Sequence, residues 1–358
     1  MTTVMSVMSV MSVRRVRRVR RVRSVRSIEG NRFCFSTLLT LITLLTLYPA
    51  PCTAISSNSG TKNGDFLDLA TDARGVALGD SVVSTAEGVD ALRWNPAGLN
   101  TLEHKEVTGT DVEYYQSVRF NDMGFAYPMG DNSGLAASAF YLTAGSLDGR
   151  DTLGNPTGDF TFYDLVGTVG YGRKFLDHKE GDALDLSVGA DVKIVEEKIA
   201  DQGYQNPAFD LGVMGSALDN LQFGLTARNL ASSKANFARE IVAGASYGFF
   251  NKSFYPALAV NYSDNAPLRA SFSGEYRIQE WDGAAVRLGY STHDPLDDSE
   301  DSQITFLRSA SIAGLTMGAG FNYRPPILQS AVLLGIDYAM APFGALGISH
   351  TITVKARW

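Results

Sequence analysis

Residues 268–278 read LRASFSGEYRI. Leu268, Ala270, Phe272, Gly274, Tyr276 and Ile278 fall on one side of an extended chain, and Arg269, Ser271, Ser273, Glu275 and Arg277 on the other. Strict period-two alternation predicts a strand whose faces meet different media. Residues 184–194 repeat the pattern: Leu184, Leu186, Val188, Ala190, Val192 and Ile194 oppose Asp185, Ser187, Gly189, Asp191 and Lys193. Val286, Leu288 and Tyr290 likewise oppose Arg287, Gly289 and Ser291.

Working outward, fourteen such segments run from 105–116 to 344–358. Most are well beyond the five or six residues usual for a globular strand, and long enough for a tilted membrane crossing. Long, even-numbered, two-faced strands predict an all-β fold: a transmembrane antiparallel barrel of about fourteen strands. The links agree. Gly130–Ser133, Ala217–Asp219, Phe250–Lys252 and Arg324–Pro326 are tight and follow even strands. The spans 145–160 and 293–310 are long and follow odd strands, which places them outside the cell. The outer loops are modest otherwise. A closed cylinder leaves no free edge and pairs every backbone group internally. The expected arrangement has apolar side chains facing lipid and the polar set looking inward.

The start of the chain has another character. Nine arginines lie between Arg14 and Arg32, then comes the short apolar run Thr40–Leu47, then Cys52-Thr53-Ala54. A basic region, a short apolar core and a small-residue exit predict a secretory signal peptide over 1–54, with the true start downstream of Met1. The remaining chain holds 22 basic and 37 acidic residues, a net charge of −15. That excludes nucleic acid as a natural partner. Both cysteines lie in the leader, so no disulfide or thiol chemistry is expected.

Catalytic and metal signatures are missing. His104, His178, His293 and His350 have no metal-pair spacing, and no cofactor is implied. Gly167–Gly172 imitates a nucleotide loop but lies inside a strand with no helix after it. Asp294–Asp301 is an acidic stretch that reads as a solvated outer loop. The chain is not expected to be an enzyme.

The segment 55–104, ahead of the barrel at 105–358, is short, apolar and rich in small residues: Gly75, Ala77, Gly79, Ala86, Gly88 and Ala91. A helix over 85–94 should end near Trp94, because Pro96 disfavours helical geometry at Asn95. Gly98 permits the turn that follows. A compact unit too apolar to float free predicts a plug inside the lumen.

The run Ala73-Arg74-Gly75, Ala77-Leu78-Gly79-Asp80, then Trp94-Asn95-Pro96-Ala97-Gly98-Leu99, resembles the N-terminal hallmark of the FadL-like outer-membrane barrels, with the PorV/PorQ branch nearest. The resemblance implies a bacterial outer-membrane location and an Asn-Pro-Ala turn in a plug, packed by Arg74, Gly75 and Gly79. Two roles follow from it. PorV/PorQ-type members serve type IX secretion, with exported proteins as partners. FadL-type members pass long-chain fatty acids or other hydrophobic solutes, and would show a ligand-sized apolar pocket above Trp94 or a gap in the wall. Modest outer loops favour the secretion role. The alternating end, Ile352, Val354, Ala356 and Trp358, looks like the terminal strand that barrel assembly machinery recognises, with outer-membrane lipid as the other partner.

Overall fold

The computed structural model describes residues 62–114, 118–130, 132–176, 184–217, 220–281, 283–292, 314–325, 331–342 and 347–358. The signal-peptide reading of 1–54, the span 293–310 with its acidic stretch, His178 and His293 lie outside them. Fourteen antiparallel strands form one closed barrel in chain order, with the first pairing the last. They are β1 (Glu106–Glu113), β2 (Arg119–Pro128), β3 (Ser133–Arg150), β4 (Pro156–Leu176), β5 (Leu184–Ile199), β6 (Gln202–Ala217) and β7 (Leu221–Leu230). Then come β8 (Glu240–Tyr247), β9 (Phe254–Ser263), β10 (Arg269–Ile278), β11 (Ala284–Ser291), β12 (Leu315–Tyr323), β13 (Leu333–Pro342) and β14 (Ile348–Arg357).

The alternation read in 268–278 becomes two environments. On β10, Ser271 and Glu275 are buried in the lumen, whereas Tyr276 is half exposed on the outside. Val286, Leu288, Ile336, Ile352 and Val354 also stand on the outer surface. So large an exposed apolar surface calls for lipid rather than water. The polar inward face holds for β8 to β14, where Glu240, Glu275, Arg287, Asp337, Thr353 and Lys355 are all buried. It fails on β2 to β5. There Phe120, Phe140, Leu142, Val166 and Val195 point inward and pack together. Their strands carry apolar residues on both faces, so alternation alone could not choose the inner one.

The expected outer loop at 145–160 is corrected as well. β3 and β4 continue as a hairpin to a turn at 151–155, which Asp151 ties by accepting Leu153 N at 2.9 Å and Asn155 N at 2.8 Å. β3 to β6 have 18, 21, 16 and 16 residues, whereas β8 has 8. One side of the barrel therefore projects beyond the other, and the outer face is not modest.

Residues 65–102 occupy the lumen. They form a 3-10 turn (Asp65–Asp68), helix α1 (Ala73–Ala77), helix α2 (Ala91–Trp94) and a 3-10 turn (Pro96–Thr101). α2 is shorter than the helix expected over 85–94, because 82–90 are tight turns. It stops at Trp94, where Asn95 swings to φ −167° before Pro96.

Candidate functional site

The lower plug is tied by polar side chains. Asp72 caps α1, accepting Gly75 N at 2.6 Å, and also takes the Trp94 indole N–H at 2.5 Å. The Trp94 ring lies where a Cβ on Gly75 would stand. Asn95 is fully buried and starts the second 3-10 turn, its Oδ1 accepting Ala97 N at 3.2 Å. Its amide donates to Val83 O and, across to β6, to Val213 O, both at 3.0 Å. Such a group must find partners when buried.

Arg74 reaches the wall. Its guanidinium straddles Glu275, with contacts of 3.1 and 3.0 Å, and donates to Thr85 O at 3.0 Å. Burial alone would lower the Arg74 pKa, but the Glu275 and Glu87 carboxylates outweigh it and hold the group charged. Glu275 also accepts from Arg287 at 2.8 Å and Arg277 at 2.9 Å. The chain of charges continues from Arg287 to Asp337 at 2.6 Å, and Lys355 joins Asp337 (3.6 Å) to plug residue Asp90 (2.6 Å).

Between these ties the plug touches bare backbone. A Cβ on Gly134 (β3), Gly172 (β4), Gly189 (β5), Gly212 (β6), Gly224 (β7), Gly289 (β11) or Gly318 (β12) would come within 3 Å of a plug atom. The Asn95–Leu99 turn rests on the first four, and Gly79 on β11 beside Tyr290. The sequence motif therefore sits with its sequence-predicted neighbours Arg74 and Gly75 in one packed unit. The wall glycines that receive it were hidden in sequence, because nothing local marks which strand glycines face inward.

Between the start of the plug and the wall of β2 to β5 the lumen changes chemistry in one inward step. Register pairs Phe140 with Val166 and Val166 with Val195; the next inward row pairs Ser138 with Thr168 and Thr168 with Lys193. A cavity of about 50 Å³ lies there. Its roof is Phe66, Leu67, Leu69, Phe140 and Val166; its floor includes Asp90, Asp122, Ser138, Thr168 and Lys193. Phe66 stacks on Phe140, with centroids 5.9 Å apart. The connection from β7 to β8 folds over this cluster: Asn63 N donates to Asn236 O at 3.1 Å, and Phe237 is buried with Leu67. Arg269 pairs with Asp68 and Glu240, each at 3.2 Å. Burial, with Glu240 beside it, pushes the Asp68 carboxyl up to about 7, against the pull of Arg269 and Arg93.

At the closing seam, Trp358 exchanges backbone hydrogen bonds with Lys105, both at 3.1 Å, and its ring lies 6.4 Å from that of Phe125. Ile352 and Val354 face outward, and Ala356 is half buried. His350 accepts or donates at Nδ1 with Tyr338 OH, 2.7 Å away on the outer surface. Among the described residues, no group of three His, Cys, Asp or Glu side chains is placed to hold a metal ion.

No protein-family model and no curated protein matches the chain. Among solved structures, the Ralstonia pickettii toluene transporter TbuX superposes with a TM-score of 0.51 at 12% identity, over 80% of this chain and 97% of that one. A Pseudomonas aeruginosa FadL homologue gives 0.49 at 11% identity, over 80% and 98% of the two chains. The Pseudomonas putida toluene transporter TodX gives 0.49 at 11%, over 79% and 95%. At such identity the likeness bears on fold alone, and the TbuX match is the one that carries it: the chain shares that transporter's barrel fold, here with fourteen strands.

Proposed function

We propose that this chain is an outer-membrane conduit for small hydrophobic solutes, and not an enzyme. The apolar cluster inside the outer half of the lumen, with a cavity beneath it, carries the reading. A water-filled porin keeps that face polar. The likeness to a toluene transporter supports the same choice. In this reading the leader exports the chain, assembly machinery inserts it through its last strand, and the 65–104 plug shuts the periplasmic end. The present 50 Å³ is smaller than the space of about 150 Å³ that holds a benzene ring. A solute is therefore admitted only when Phe66 and Leu67 withdraw.

The test is uptake of a labelled monoaromatic or fatty acid by cells lacking their own route. Cells making the barrel should exceed empty-vector cells, and Val166→Trp, which fills the cavity, should remove the excess. Equal uptake with and without the barrel refutes the reading. A role in protein secretion of the PorV/PorQ type is favoured by one observation, the projection of β3 to β6 beyond the rim, which offers a surface to a protein. Copurification of exported proteins with the barrel, lost on trimming 144–160, would select that role.

A further inference from the structure

Building on the conduit reading, we propose that the solute carries a hydrogen-bond donor head, a hydroxyl or an ammonium, and that Asp122 receives it. The cavity floor is where a head group would rest, and most of its charges are already engaged. Asp90 is held by Lys355 at 2.6 Å, and Lys193 by Asp210 at 2.6 Å and Asn229 at 3.3 Å. Arg93 donates through Nε to Leu69 O at 2.9 Å, while its buried Nη1 has no hydrogen-bond partner among the described residues. Asp122 differs. It is 8% exposed, lines the cavity, and has no hydrogen-bond or ion-pair partner among the described residues. A buried carboxylate left without a donor is costly, by more than an ordinary lost hydrogen bond. A ligand that brings a donor to this point removes that cost. Ser138 and Thr168, on the same floor, add hydroxyls that suit a hydroxyl or ammonium equally.

The approach has the same bias. Directly outward of the apolar row, Asp164 on β4 pairs in register with Glu197 on β5. Asp164 is 3% exposed, and Glu197 Oε1 is buried without a partner. Neither forms an ion pair among the described residues. A carboxylate-headed solute would pass two acidic side chains and then meet a third at the floor. A neutral or cationic donor head meets carboxyl oxygens able to accept from it along the same path.

The experiment uses the full mature barrel held in amphipol and four ring-matched probes followed by fluorine NMR: 4-fluorobenzyl alcohol, 4-fluorobenzylamine, 4-fluorotoluene and 4-fluorobenzoate. The alcohol and the amine should bind roughly tenfold or more tighter than the benzoate, the scale of one hydrogen bond to a charged group. Asp122→Asn keeps the volume and removes the charge, so the amine should lose about tenfold relative to the alcohol. Asp122→Leu removes the acceptor, so both should fall toward the toluene. Ratios within one variant are the readout, and heat-modifiable electrophoretic mobility reports that each barrel is folded. Should Asp122→Leu fail to fold, the Asn variant decides. Tightest binding by the benzoate, or a ranking untouched by either substitution, overturns this proposal alone. No binding of any probe to the unaltered barrel refutes the conduit itself.

Discussion

Gly189→Ala should loosen the plug while leaving the cylinder intact. The added methyl would stand within 3 Å of Pro96 C, Pro96 O and Ala97 N. These are backbone atoms of a turn that Asn95 fixes through three hydrogen bonds, so no flexible side-chain end can swing aside. Either the turn retreats or β5 bows outward. Overpacking of this kind costs about 1–3 kcal/mol. That corresponds to a rise of roughly 5-fold to 150-fold in the population with the turn undocked. Hydrogen exchange of the 91–102 amides reads that population directly, since local opening sets their protection. Two glycines serve as controls. A methyl on Gly167 meets nothing within 4 Å, and one on Gly109 meets only Val354 Cγ2 at 3.7 Å. Gly167→Ala and Gly109→Ala should exchange as the parent does. If Gly189→Ala matches them, the plug is not seated on the wall by close approach.

The charge network should respond unequally to its two ends. Arg74→Met leaves Glu275 with Arg277 and Arg287, whereas Glu275→Leu takes the shared carboxylate from three guanidiniums, leaving Arg287 with Asp337 and Arg74 and Arg277 with the longer contacts to Glu87. The second should cost about 3–5 kcal/mol and the first clearly less, as denaturant midpoints would show. Docking of 64–69 should weaken as pH rises. The Asp68 carboxyl is held near 7 in the docked segment, so docking retains a proton that the free segment has released above the usual carboxylate range. Stability is then highest below that range and falls as pH climbs toward 7. Protection of the Leu67 and Leu69 amides, corrected for intrinsic exchange, should drop between pH 5 and pH 8, and Asp68→Asn should flatten the change. Deleting Trp358 should slow assembly in cells, seen as unfolded barrel in electrophoresis, since two backbone hydrogen bonds and the Phe125 contact at the seam go with it.

Much of the wall was legible because period two survives any membrane depth. The fourteen strands follow from alternation alone, and the tight link at 250–252 from its turn residues, whereas parts of the links read at 217–219 and 324–326 lie outside the described residues. The hairpin over 145–160 reads as loop in the sequence, since Gly145, Asp148, Gly149, Gly154 and Asn155 favour turns. Yet β3 and β4 pair through most of that span, with a register shift between Thr143 and Ser146. The plug motif was visible as a helix stop, Asn95-Pro96, and a run of small residues. Its seat was not, because which face of a strand looks inward is decided by partners far away in sequence. Asp122 illustrates this. It follows Phe120 and Asn121 and precedes Met123, and only the register with β3 shows that it shares the lumen with Phe140 rather than the lipid.

The glycine seats bear on how the molecule is made. The cylinder is completed when β1 meets β14, and only the short stretch Leu102–Lys105 separates the plug from β1. A core fitted to seven strands at backbone range cannot be threaded through a finished hoop. The staves have to be raised around it, so that the N-terminal segment acts as a mandrel for the wall that closes on it.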